Sequence, residues 1–184
     1  MTGPLAPQDE QDLMRRLALG DEDAVRLVYE RFGRAVYSLG LRMLRTPESA
    51  EDLTQEVFLT AWRRAGGYDP RRGRLSTWLM TIAHNAAVDR IRHDAARPRP
   101  ALKAIDETVA PSLVEEDGVI DRLLAGHVLA SLSHRERRLI ELAYFRGWSA
   151  REIAEADGIP LGTVKTRLRA TLIRLRAVHK GEAS

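Results

Sequence analysis

Six basic side chains and no acidic one fall between positions 161 and 180: Lys165, Arg167, Arg169, Arg174, Arg176 and Lys180. Such a run can neutralise phosphates, and an arginine held near a groove can bond a base edge with two hydrogen bonds. A run of one sign is as often a solvated helix face, so its neighbours decide. Ser149-Ala150-Arg151-Glu152 has the form of a capping box opening a short helix with Ile153 and Ala154. Asp157-Gly158 suits a tight turn, because glycine accepts positive φ without a Cβ clash. Thr163 can cap a following helix, on which Val164, Leu168, Leu172 and Leu175 make one apolar stripe. A small Ala154 at the crossing, Gly158 in the turn and Val164 packing back form the spacing of a DNA-binding helix-turn-helix, over residues 149–176. Lys165 and Arg169 lie one turn apart, away from the stripe, with Thr166 beside them, and are candidates for base edges. Arg167, Arg174 and Arg176 are candidates for phosphates, which position without specifying. Trp148 is expected in the core.

The chain of 184 residues has 44% hydrophobic and 30% charged residues, which describes a folded soluble protein of one ordinary or two small domains. It has no cysteine, excluding disulfides, thiolate metal sites and thiol nucleophiles. His84, His93, His127, His134 and His179 show no metal-ligand spacing, and no Gly-rich phosphate loop follows a strand. No cofactor, metal or enzymatic activity is expected. The N-terminus lacks an apolar signal core and no apolar run reaches the ~18 residues of a membrane span, so the expected location is the cytoplasm. Net charge is only +3, so the charge distribution is the informative quantity.

The periodic segments are helical throughout. Leu13, Met14 and Leu17 mark a short first helix ending at Gly20; Asp21 can cap a second with Val25, Val28, Phe32, Val36, Leu39 and Met43 on one face. Thr46-Pro47 starts a third, with Leu53, Val57, Phe58, Ala61 and Trp62 on its apolar side and Glu51, Asp52, Gln55 and Glu56 exposed beside them. After Gly66-Gly67 comes a basic loop with Arg71, Arg72 and Arg74, then a fourth helix over about 76–93 with Trp78, Leu79, Ile82, Ala86 and Ile91 inward. Thr81, His84, Asn85, Val88 and Arg92 would form the opposite stripe. Residues 94–117, with Pro98, Pro100 and Pro111 and no sustained period, read as a flexible linker, after which helical period returns with Ile120, Leu123, Leu124 and Val128. Ser133-His134-Arg135-Glu136 is a further capping box. The expected fold is all-α: two small helical domains, 1–93 and 118–184, joined by that linker.

The segments AEDLTQEVFLTAW (50–62), STWLMTIAHNAAVDRIR (76–92) and GIPLGTVKTRLRATLIRLR (158–176), in this order, closely resemble the extracytoplasmic-function group of bacterial sigma factors, over about residues 21–176. The resemblance implies a sigma region 2-like first domain that docks on the clamp helices of core RNA polymerase and captures the −10 element. It implies a region 4-like second domain that reads the −35 element as duplex DNA. The polymerase does the chemistry. Carried over by matching motif, Asp52, Gln55, Glu56 and Phe58 fall at the polymerase contact. Asn85 matches a position near the −10 DNA, and the loop from 71 to 76 matches the segment where a base is flipped out. Arg71, Arg72, Arg74, Ser76, His84, Asn85 and Arg92 are thus the −10 candidates, and Thr163, Lys165, Thr166, Arg167, Arg169 and Arg174 the −35 candidates. For Trp78, core packing is favoured over base contact. The resemblance also implies an anti-sigma partner covering both faces. Aromatics are 5%, and the aromatic-rich strand-melting helix of housekeeping sigma factors is missing, so a close promoter match is expected to be required.

A stand-alone regulator sharing the C-terminal reader, such as a response regulator, is the nearest rival. It would need alternating strands and helices in the first half, and binding to core polymerase separates the two readings.

Overall fold

The computed structural model describes residues 6–94 and 132–181. All regular structure among them is helical. Chain contacts divide the protein into two compact units, Met1–Ala87 and Val88–Ser184. Nearly all of the expected linker, and the helical period expected around Ile120 to Val128, lie outside the described residues.

In the first unit α1 (Pro7–Ala18) starts with proline at its first turn, carries Asp9 and Glu10 near its N-terminus and Arg15 and Arg16 near its C-terminus, and so matches its macrodipole. Asp21 caps α2 (Glu22–Leu44), accepting the Ala24 N–H at 3.1 Å, and takes the Arg16 Nε–H at 2.8 Å. Thr46 caps α3 (Pro47–Arg64) through the Ser49 N–H. A 3₁₀ turn (Ala65–Gly67) and a loop lead to α4 (Leu75–Asp94), whose residues from Val88 onward belong to the second unit. The core is built from Met14 and Leu17 of α1, Val28, Val36 and Leu39 of α2, Leu53 and Val57 of α3, and Leu75 and Leu79 of α4. Fully burying each such side chain stabilises by about 1.5–3 kcal/mol. α2 and α3 meet at Gly40, where a Cβ would lie 3.2 Å from the Ala50 Cα and 3.1 Å from a Leu53 methyl.

Several facial assignments differ from the periodicity. Val25 is 44% exposed and Trp62 48% exposed, so neither belongs to the core. α2 and α3 are each covered on one side only, and these residues sit at the margin of the apolar sector rather than in it. On α4 the buried residues are Leu75, Thr77, Leu79, Met80, Ala83, His84, Ala87, Val88 and Arg92, whereas Trp78, Ile82, Ala86 and Ile91 are half-buried. The stripe expected opposite the core is therefore wrong for His84, Val88 and Arg92. Helical period alone leaves the phase open when both sides of a helix carry apolar residues.

In the second unit, α5 (His134–Ile140) opens with the expected capping box on Ser133 and Glu136 and continues into a π-helical turn, Glu141–Phe145. α6 (Ala150–Asp157) opens with the second box, on Ser149 and Glu152. α7 (Leu161–Gly181) follows a three-residue turn. Its first residue is Leu161, so Thr163 lies in the first turn, its N–H bonded to the Pro160 carbonyl at 2.9 Å, and is not the cap.

Candidate nucleic-acid interface

The C-terminal reader is built around one apolar cluster: Leu139 of α5, Ile153 and Ala154 of α6, Val164 and Leu168 of α7. Leu142, Ala143, Trp148, Ala150 and Ile159 pack against it, so Trp148 is indeed part of the core margin. Gly158 ends α6 at φ +64°, a left-handed conformation that a Cβ would strain, and its N–H bonds the Ala154 carbonyl. The chain then turns through Ile159 and Pro160 and starts α7. Arg138 holds the end of α6 through Asp157 at 2.8 Å. The apolar cluster and the Gly158 turn thereby fix the second helix of a helix-turn-helix against the first, and Arg138 ties α5 to α6.

Burial of Val164, Leu168 and Thr171 sets the rotation of α7. Lys165, Thr166, Arg167, Arg169 and Arg174 are then all exposed, and Thr163 is half-buried. The Thr166 hydroxyl donates to the Gly162 carbonyl at 2.9 Å, which leaves its oxygen lone pairs to accept. Arg174 is not a bare surface cation: Nη1 lies 3.0 and 3.2 Å from the two carboxylate oxygens of Glu136. That glutamate is held below its ordinary carboxylate range, first by the Ser133 hydroxyl and N–H, which outweigh its partial desolvation, and then by Arg174. The side chains of Leu172, Leu175 and Arg176 lie outside what the structure describes.

The loop between the 3₁₀ turn and α4 is more constrained than its sequence implies. Arg71 grips Asp69 through Nε at 3.0 Å and Nη2 at 3.2 Å, and its N–H bonds the same carboxylate. This hydrogen-bonded pair lowers the Asp69 pKa and raises that of Arg71. Arg74 Nε lies 3.2 Å from Glu10 Oε1. Arg72 is exposed, and Ser76 and Asn85 are half-buried. Trp78 meets Tyr68 edge-on, centroids 5.8 Å apart, in keeping with packing rather than an open stacking platform.

Arg71, Arg72, Arg74 and Ser76 are thus gathered at one loop and the start of α4. His84 is 3% and Arg92 7% exposed; Arg92 Nε and Nη2 donate to the Gly147 carbonyl at 3.2 and 2.9 Å. Neither is placed as a surface contact.

On α3, Asp52, Gln55 and Glu56 are exposed and Phe58 is half-buried. Tyr29 of α2, missed from the sequence, tilts against Phe58 with centroids 4.9 Å apart and is itself 54% exposed. Leu59 and Trp62, each 48% exposed, extend the apolar surface along α3. Carboxylates around an open aromatic patch form the type of surface that receives a basic, amphipathic partner. Among the described residues no group of acidic and histidine side chains could hold a metal, and no helix is long and apolar enough to cross a membrane.

Residues 28–97 match the family described as Sigma-70 region 2, and residues 128–177 match Sigma-70, region 4. The chain is 37% identical over 178 residues to the ECF RNA polymerase sigma factor SigK of Mycolicibacterium vanbaalenii, covering 94% of this chain and 90% of that one. It is 35% identical over 184 residues to SigK of Mycobacterium tuberculosis, covering 96% and 97%. Among solved structures, it is similar to Rhodobacter sphaeroides SigE in complex with the anti-sigma ChrR, at 31% identity and a TM-score of 0.48, covering 94% of this chain and 99% of that one. The two regions occur in the order expected from the three sequence motifs, and the chain belongs to the ECF group of RNA polymerase sigma factors, alternative sigma factors that direct promoter recognition and are not an enzyme class.

Proposed function

We propose a division of that function among named residues. Lys165, Thr166 and Arg169 of α7 read base edges of the −35 duplex, with Thr163 and Arg167 bonding the adjacent backbone. Arg174 adds a phosphate contact only by sharing or leaving Glu136. The loop carrying Arg71, Arg72, Arg74 and Ser76, together with Asn85, takes the −10 element as a single strand, where a flipped base costs a few kcal/mol of unstacking that pocket contacts offset. Asp52, Gln55, Glu56 and Phe58, joined by Tyr29, dock on core polymerase. The domains are 1–93 and 118–184 with 94–117 as tether, and the protein works in the cytoplasm, where its polymerase is. Regulation by an anti-sigma protein is the expectation from the family, and its co-purification from native cells tests it.

The observation that carries this reading is the rotation of α7. Burying Val164 and Leu168 leaves Lys165, Thr166 and Arg169 together on the solvent face, at the helix end that enters a major groove. The test is transcription of genomic DNA by sigma-free core polymerase with and without the protein, mapping RNA 5′ ends. New starts sharing two short upstream motifs support the reading; duplex binding without new starts overturns it.

A further inference from the structure

The −10 candidate loop is held by a residue far upstream of it. Glu10 of α1 is 3% exposed, and its carboxylate accepts three hydrogen bonds. The Tyr68 hydroxyl donates to Oε2 at 2.7 Å, the Leu75 N–H donates to Oε2 at 3.0 Å, and Arg74 Nε donates to Oε1 at 3.2 Å. The Tyr68 hydroxyl also lies 3.2 Å from the Gly73 carbonyl.

These donors are not equivalent. Tyr68 is the residue at which the loop begins, directly after the 3₁₀ turn, and Leu75 is the first residue of α4, where the loop ends. The Leu75 N–H is one of the four amides that a helix leaves without an internal acceptor, so Glu10 serves as a distant cap of α4 and sits where the helix dipole favours an anion. Arg74 is one of the cations expected to hold DNA. A single buried carboxylate therefore fixes the span of the loop, the entry of α4 and the direction of one guanidinium. A buried acid is costly unless fully bonded, so the arrangement holds the loop in one conformation.

We propose that Glu10 is a positioning residue for −10 recognition: through Tyr68, Arg74 and Leu75 it pre-organises the loop that reads the melted strand, and so makes α1 a determinant of promoter selectivity. This rests on the assignment of loop 71–76 to the −10 element. Glu10 itself touches no DNA.

The experiment uses holoenzyme assembled from core polymerase and the full chain, with Glu10→Gln, Tyr68→Phe and Arg72→Ala variants. The probe is a fluorescent single-stranded oligonucleotide carrying the −10 motif found by 5′-end mapping, alongside versions with one base replaced. Glu10→Gln is expected to lower the affinity ratio of matched to mismatched strands about tenfold, within the range set by a good base contact. Tyr68→Phe should do so less, with core affinity and −35 duplex binding unchanged in both. A ratio kept at the wild-type value in Glu10→Gln holoenzyme, or a loss spread evenly over matched and mismatched strands, overturns the proposal. Should Glu10→Gln fail to assemble, Tyr68→Phe removes a single hydroxyl and an unchanged ratio there overturns it equally. Arg72→Ala separates the premises: if it alters the ratio and Glu10→Gln does not, only the link through Glu10 falls. If Arg72→Ala alters nothing, the loop does not read the −10 element and the functional assignment itself is wrong.

Discussion

In the proposed division of roles, Arg169 and Phe58 are the side chains that separate the two recognition tasks. Arg169 is exposed on α7 one turn from Lys165, and nothing in the apolar cluster of that unit depends on it. Arg169→Ala is expected to weaken −35 duplex binding by about 1–3 kcal/mol, roughly five- to 150-fold, with core binding intact. Fluorescence anisotropy on short duplexes checks the first value and holoenzyme assembly the second. Phe58 is half-buried against Tyr29, so its removal loses packing as well as part of the proposed docking surface. Phe58→Ala is expected to lower core affinity at least tenfold, as an anchor at an interface centre does. Thermal melting of the same variant is the companion measurement, and a fall in melting temperature with unchanged core affinity would assign Phe58 to the fold alone. The arginines of the basic loop show why residue type does not settle role. Arg71 and Arg74 are each engaged by a carboxylate of the same unit, whereas the sequence presents them as three equivalent cations.

Helices and their ends were largely legible, because caps are local chemistry: Asp21, Thr46, Ser133 and Ser149 each bond an amide three residues on, as their spacing implies. Facial assignment was less so. Trp62 and Val25 share a period with true core residues but lie at the exposed edge of the apolar sector. Glu10 follows the same spacing as Leu13, Met14 and Leu17, which is the signal that could have found it; an acid on an apolar face reads as solvated until its donors, 58 to 65 positions later, are known. Two expectations concern elements. Gly40→Ala would place a methyl against the backbone of α3, so the gain of about 1 kcal/mol in helix propensity is outweighed by separating two helices. The variant should melt at lower temperature, and an unchanged or raised melting temperature would show that α3 can yield. The Ser133–Glu136 box gives a pH dependence. Glu136 has a pKa lowered by its bonds in the folded state, so its contribution is present above the ordinary value of 4.5 and is lost as pH falls further, through the folded value. Glu136→Gln is expected to flatten the loss of melting temperature below pH 4.5 relative to the parent chain.

At the level of the whole molecule, a net charge of +3 hides an uneven distribution: acids crowd α3 and cations crowd the exposed side of α7, so α3 suits a basic partner and α7 an anionic one. Family membership gives the chain a region 2 and a region 4, and the proposed residue roles apportion these charged surfaces between them. The buried Glu10 also orders events in time. Its partners are made 58 to 65 residues after it, so α1 cannot seat its acid against the core until the start of α4 has been synthesised. Docking earlier would bury an unsatisfied carboxylate, so this long-range closure is expected in the last cooperative step by which the first unit folds. In hydrogen exchange the Leu75 amide should then open only with global unfolding of that unit, although it lies at a helix end, where amides ordinarily exchange through fraying; rapid exchange at Leu75 would show that the first unit completes its fold without waiting for the loop to close.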